Sequence, residues 1–323
     1  MKRALRVSPA ILAFFAASIL PSYSVGAGFP DRPITIVVGS TAGGPTDVIA
    51  RVTAEGLSKR LNQSVIVANR PGANSAIGFN SFVRSNPDGY TLFVMTALTS
   101  SLPLMQQNFA GEPVDSVEAI SLLAMNSIAV VARGNAPFNT LPEMIAYAKA
   151  NPEKMTYATV GGLPELLARY VFLKQGARAT YIPYKGAADL TTDLVAERID
   201  VGFFSLVGIG GFLGNGRLKV VAATGRSRSP LRPNVATLAE TIPGLELEDI
   251  NYFGLVAPKG TPADVLSVIH SALIEVGQSE EFKSKIRGLE STPVTSSPED
   301  FRKLMETVKN WKVMAREVGF EPK

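Results

Sequence analysis

Few side chains in this sequence are suited to bond-making chemistry. Cysteine is absent and histidine occurs once, at His270. Those two facts remove thiolate nucleophiles, histidine-based triads and ordinary zinc sites. Serine–lysine or paired-carboxylate hydrolysis stays formally open, but there is no nucleophile elbow. What the sequence does offer is a way to hold an anion. The apolar, β-branched run Ile34 to Val38 ends in Gly39-Ser40-Thr41-Ala42-Gly43-Gly44-Pro45-Thr46-Asp47, and an amphipathic segment follows to about Leu61. Strand, glycine turn and helix start, in that order, gather unpaired N–H groups at the positive end of a helix dipole. Gly43 and Gly44 let a ligand approach the backbone, and Pro45 suits a first helical position. The loop reads as a cradle for a small carboxylate or similar anion; the plainer alternative is an ordinary strand–helix turn.

The same device returns later. The strand Met155 to Val160 runs into Gly161-Gly162-Leu163-Pro164-Glu165, and a helix continues to about Lys174. Further strands are expected at Val65 to Ala68, Tyr90 to Met95, Ala179 to Pro183, Ile199 to Phe204 and Leu218 to Ala223. Helical segments fall between them, including Ala76 to Val83, a helix opened by Thr140-Leu141-Pro142-Glu143, and Ala187 to Glu197. Strands alternating with helices predict parallel βαβ units, whose ligands sit at the carboxyl ends of the strands. The loops after Ile34 to Val38 and after Tyr90 to Met95, which includes Thr96 and Thr99, therefore open on the same side.

Two β-rich runs, Ser127 to Ala132 and Tyr252 to Ala257, read as crossings between two units. The expected architecture is an α/β fold of two βα lobes joined by two crossover segments, with a ligand cleft between them. Lobe 1 takes 28–131 and 251–323, and lobe 2 takes 132–250, with hinges near Ile128 to Ala132 and Asn251 to Ala257. His270 lies on a helix announced by Thr261-Pro262-Ala263-Asp264, where it reads as a boundary residue. Ser297 caps a last helix whose stripe of Phe301, Leu304, Met305, Val308 and Trp311 reads as packing.

Residues 1–27 are set aside as an export leader: Lys2, Arg3 and Arg6, an apolar stretch from Ala10 to Leu20, and small residues at Val25-Gly26-Ala27. Cleavage is expected near Ala27, and the destination is the periplasm. Losing the three basic residues takes the net charge from +4 to +1, which leaves no nucleic-acid footprint. The chain is expected to need no metal and no cofactor, and to be a monomer.

Taken together, the sequence resembles the Bug or TctC family, the periplasmic solute-binding proteins of tripartite tricarboxylate transporters. The matching text includes Phe29-Pro30-Asp31-Arg32-Pro33-Ile34, Ala42-Gly43-Gly44-Pro45-Thr46-Asp47, Asn69-Arg70-Pro71-Gly72-Ala73 and Pro87-Asp88-Gly89-Tyr90-Thr91-Leu92. It continues with Tyr181-Ile182-Pro183-Tyr184-Lys185-Gly186, Gly216-Arg217-Leu218-Lys219 and Phe253-Gly254-Leu255-Val256-Ala257-Pro258-Lys259-Gly260-Thr261-Pro262. The resemblance implies a type II periplasmic-binding-protein fold that closes over a carboxylated solute, works beside membrane permease subunits and performs no chemistry.

That likeness, with the loop physics, gives a candidate ligand set. Ser40, Ala42, Gly43, Gly44, Thr46 and Asp47 come from the first loop, and Thr96 and Thr99 from the loop after the third strand. Thr159, Gly161, Gly162, Tyr184 and Ser205 come from the second lobe. The solute would be a di- or tricarboxylate, an amino acid or an aromatic acid. Asp47 and Glu165 read either as capping acids or as partners for a ligand amino group, and Arg70 as a turn brace or a ligand partner. Tyr184 and Lys185 would line the rim. Two places depart from the family pattern. Gly39 and Ser40 stand where many relatives carry proline and an aromatic residue, and Leu163-Pro164-Glu165 replaces a serine-rich loop. A sensor subunit with the same pocket, or an exported hydrolase, would be the alternatives.

Overall fold

The fold is that of a computed structural model, which describes residues 28–320 apart from 107, 108, 110, 185, 226, 243, 244 and 246–250. The expected leader and Lys185 lie outside the described residues. The chain opens with β1 (Ile34–Val38), α1 (Pro45–Leu61), β2 (Val65–Asn69), α2 (Ala76–Val83) and β3 (Thr91–Thr96). Two short helices follow, α3 (Ala97–Ser100) and α4 (Leu102–Met105), and then the long strand β4 (Val117–Asn126). A single residue, Ser127, separates β4 from β5 (Ile128–Arg133). Next come α5 (Leu141–Ala150), β6 (Thr156–Thr159), α6 (Gly162–Lys174), β7 (Thr180–Pro183) and α7 (Ala187–Val195). After these lie β8 (Val201–Ser205), α8 (Gly210–Gly214), β9 (Leu218–Ala223) and α9 (Leu238–Thr241). The final series is β10 (Asn251–Pro258), α10 (Ala263–Gln278), α11 (Glu280–Gly288), β11 (Thr292–Pro293), α12 (Pro298–Glu306) and α13 (Val308–Glu317).

These strands form two sheets, ordered β11-β4-β10-β3-β1-β2 and β7-β6-β8-β5-β9. In the first, β1 pairs in parallel with both β2 and β3, while β10 runs antiparallel between β3 and β4. Residues on β1 alternate between two apolar clusters: Ile34, Ile36 and Val38 join Leu57 and Ile269 on one face. Val37 joins Phe79, Phe82 and Phe93 on the other. A parallel strand covered on both faces reads as a continuous apolar run, which is why Ile34 to Val38 was legible.

The first crossing falls earlier than the sequence suggested. β5 pairs with β8 and β9, so the run Ile128 to Ala132 belongs to the second sheet, and the chain passes between sheets at Ser127. The expected boundary at 131 cuts through this strand. The strand feeding the crossing, β4, carries Glu118, Ala119, Leu122, Leu123, Ala124 and Met125, residues that suit a helix equally well. The last helix is also two: the chain turns at Thr307, and α13 leaves the first sheet to pack against α6. Lys174 and Glu317 pair there at 2.6 Å, and Trp311 and Met314 are buried in a cluster that spans both lobes. His270 lies mid-way along α10 and is half-buried, its Nε2 3.1 Å from the Ser296 carbonyl.

Candidate ligand site between the lobes

The loop after β1 is held from within. Asp47, in the first turn of α1, is almost fully buried. Its Oδ2 accepts from the Gly43 N–H at 2.8 Å and from Arg51 Nε at 2.9 Å, and its Oδ1 from Asn69 Nδ2 at 2.9 Å. Asn69 also donates to the Ser40 carbonyl at 3.1 Å. Burial alone would raise the Asp47 carboxyl, but the bonds from Arg51, Gly43 and Asn69 outweigh it and hold it below its ordinary 3.8. Both carboxylate oxygens thus close the loop, and the Gly43 amide is occupied. The Ala42, Thr46 and Asp47 amides have no partner among the described residues, as expected for a helix start. Gly44 is the N-cap, and Gly43, at φ +80°, has open space where a side chain would stand. The Ser40 hydroxyl is buried without a partner, an unfilled hydrogen-bonding position in the loop.

Sequence reasoning missed what stands beside this loop. Ala73, Asn74 and Ser75 are three consecutive residues in the left-handed region, at φ +46°, +52° and +79°. Each costs of order 1 kcal/mol in a non-glycine residue, so the surrounding packing must impose them. Ser75 packs directly on Gly39: any Cβ at Gly39 would come within 2.5 Å of the Ser75 Cβ. Gly39 is therefore required by the neighbouring turn. Only Asn74 gave a local signal, because asparagine tolerates this conformation. Arg70 donates to Ser81 Oγ at 2.7 Å and braces α2.

At the end of β3, Thr96 caps α3 by accepting from the Thr99 N–H at 3.2 Å. The Thr96 and Thr99 hydroxyls lie 3.1 Å apart, so one proton bridges them and one is left for a guest. In the second lobe, the fully buried Thr159 accepts from the Gly161 N–H at 3.1 Å and meets the Tyr181 hydroxyl at 3.0 Å. Burial pushes the Tyr181 phenol up to about 12. Gly161, at φ +78°, has open space in front of its Cα, as Gly43 does. Gly162 instead faces the other lobe: a methyl group on it would come within 2.8 Å of Leu98 Cδ1. Each loop thus has a glycine with open space at its Cβ position, and α3 packs against α6 beside the second loop.

The remaining candidates are each bonded to a neighbouring side chain. Glu165 makes no cap; its Oε1 accepts from Arg169 Nη2 at 2.7 Å and Nε at 3.1 Å, and its carboxylate lies near the Tyr181 phenol. Tyr184 donates to Asp193 on α7 at 2.6 Å. Ser205 sits at the crossing, where its Oγ accepts from Asn126 Nδ2 at 2.9 Å and from the Val207 N–H at 3.3 Å. Asn126 also bonds to Ser291 and Asn251, so it pins both crossing strands. Among the described residues no cluster of acidic and imidazole groups could hold a metal ion.

The arrangement matches a known family. The model of the tripartite tricarboxylate transporter family receptor, TctC, matches residues 49–320. The chain belongs to the TctC family. It is 32% identical to "UPF0065 protein in gbd 5'region" of Cupriavidus necator over 96% of its own length and 94% of that protein's. Its fold is that of the periplasmic binding protein BugD, with 30% identity and a TM-score of 0.80 over 91% of this chain and all of that one. The structure of R. palustris Rpa4515 with adipate gives a TM-score of 0.82 at 26% identity over 92% of this chain and 100% of that one. As a TctC protein the chain is a solute-binding protein built on the two-lobed periplasmic-binding fold. No helix among the described residues is long and apolar enough to cross a membrane.

Proposed function

We propose that this chain is a periplasmic receptor that captures a small dicarboxylate between its lobes and hands it to a tripartite tricarboxylate-type permease. One lobe is taken as 28–126 with β10 to α12, the other as 128–241 with α13 returning onto it. The observation that carries the reading is the pair of glycine loops, one in each lobe, with open space in front of Gly43 and Gly161. Free amides at Ala42, Thr46 and Asp47 would take one carboxylate, helped by the unpartnered Ser40 hydroxyl. The spare proton of the Thr96–Thr99 pair and the start of α6 would serve the other end. None of these groups is a cation, so the anion is held by dipoles and hydrogen bonds, each contributing roughly 1.5–3 kcal/mol with a charged partner. The adipate in the structural neighbour supports a dicarboxylate of that kind.

The reading is tested by titrating the mature protein calorimetrically with adipate, succinate, citrate and a neutral sugar. Micromolar binding of a dicarboxylate that Ser40→Ala weakens is the expected result. Binding of the sugar alone would overturn it.

A further inference from the structure

The end of α11 closes as a Schellman motif. The Glu290 N–H donates to the Arg287 carbonyl at 2.9 Å, and the Ser291 N–H to the Ile286 carbonyl at 3.3 Å. That motif holds the residue after the C-cap in the left-handed region, where glycine is the usual occupant. Here the residue is Glu290, at φ +56°. Local backbone preference argues against a glutamate, so the compensation comes from what its side chain reaches.

The side chain leaves its own lobe. Its Oε2 accepts from Arg232 Nη2 at 2.9 Å, and a Cβ added at Gly210 would lie 3.0 Å from its Oε1. Arg232 and Gly210 both stand in the lobe taken as 128–241. The two paired side chains are only 26% and 23% exposed, against 41% and 53% for Lys312 and Glu112, which pair across the lobes at 3.6 Å. Shielding from solvent makes the first pair the stronger link.

Both partners are anchored beside the crossing from β4 to β5. Next to Glu290, the fully buried Ser291 accepts from Asn126 Nδ2 at 3.3 Å, and Thr292 pairs with Met125. On the other side Ala223 pairs with Ala129, and the Thr224 N–H donates to the Ile128 carbonyl at 2.9 Å. The loop that follows is braced in turn. The Arg232 N–H donates to the Ser229 carbonyl at 2.9 Å, and Arg228 ties Glu240 at 2.6 Å to the Pro233 carbonyl at 3.3 Å. Between the two edges lies a space of about 280 Å³, lined by Met125 and Val294 from one lobe and Leu206 and Val220 from the other. Close apolar packing therefore does not fasten the edges here, and the ion pair spans them.

We propose that Glu290 is a positioning residue for capture: its pair with Arg232 is a latch that holds the lobes in the arrangement where Leu98 meets Gly162. Glu290 is none of the candidate ligand residues. It acts on affinity only through the fraction of the protein in that arrangement. The effect on affinity rests on the receptor reading above; the effect on lobe position does not.

Cysteines introduced by Ile77→Cys and Ala188→Cys, one exposed position per lobe, take donor and acceptor dyes in a chain with no other cysteine. In the solute-free mature protein, Glu290→Gln and Arg232→Gln should each lower the transfer efficiency, and the double variant should fall no further. Adipate should bind the unlabelled single variants about three- to tenfold more weakly. Glu290→Gly removes the backbone strain together with the carboxylate. Its urea midpoint should exceed that of Glu290→Gln while the lobes open as far, whereas a purely structural role would move the two together. Unchanged or raised transfer efficiency, losses that add in the double variant, unchanged adipate affinity, or a Glu290→Gly midpoint no higher than that of Glu290→Gln would overturn the proposal. The fluorescence is read without solute, so the latch is decided even where adipate does not bind and the receptor reading fails.

Discussion

Leu98 and Gly162 face each other across the gap between the lobes, so closely that a methyl group on Gly162 would sit 2.8 Å from Leu98 Cδ1. Gly162 is also left-handed, at φ +63°, so substitution there carries two separate penalties. Gly162→Ala should destabilise the protein by about 1–3 kcal/mol and weaken solute binding. Adding Leu98→Ala should recover the contact part and leave the backbone part. Denaturant unfolding and calorimetry on the two single variants and the pair measure both. Strict additivity would show that the lobes do not touch here.

Ser40 should move stability and affinity in opposite directions. Its hydroxyl is buried without a partner, so Ser40→Ala removes an unsatisfied group. Stability should stay level or rise by up to about 1 kcal/mol, while dicarboxylate affinity falls about tenfold. A parallel loss of both would mean the hydroxyl is structural.

Asp47 governs the acid side. Its folded carboxyl lies below its ordinary 3.8, so it binds protons less readily folded than unfolded. Its contribution is therefore complete above about pH 4 and is lost as pH falls through the folded value. Asp47→Asn should cost about 1–3 kcal/mol at neutral pH and flatten the acid limb of the stability profile. Urea midpoints measured from pH 7 down to pH 3 test it; a wild-type acid slope in the variant would count against the network.

Tyr181 governs the alkaline side in the reverse sense. Its phenol is raised from 10.0 to about 12, so the folded state resists ionisation that the unfolded chain accepts. The contribution is complete below pH 10 and is lost between pH 10 and about 12. Tyr181→Phe should reduce the slope of stability over that window, read by melting temperature. The same variant leaves Thr159 with one partner fewer.

What the sequence revealed and what it hid follow from local physics. The strand–glycine–helix signal at Val38 to Asp47 and its echo at Thr159 to Glu165 were readable because turn and helix-start chemistry is local. The strand β4 was not, because Leu122, Leu123, Ala124 and Met125 have no strand period to distinguish them from a helix. Side-chain direction was equally hidden: Tyr184 turns to Asp193, and Glu165 to Arg169, choices made by rotamers rather than by position in the chain. The strained turn Ala73 to Ser75 was invisible for a different reason. Left-handed alanine and serine carry no signature, and tertiary packing on Gly39 imposes them.

The return of α13 onto α6 changes the mechanics of the whole receptor. Two short crossings alone would let the lobes swing freely about the line between Ser127 and Asn251. A third attachment, fastened by Lys174 and Glu317 and by the burial of Trp311, stands off that line and acts as a stay. Any opening of the lobes would have to stretch or slide this stay, so α13 would report it. Because the chain has no cysteine, one introduced at the exposed Val313 would place a single dye on α13.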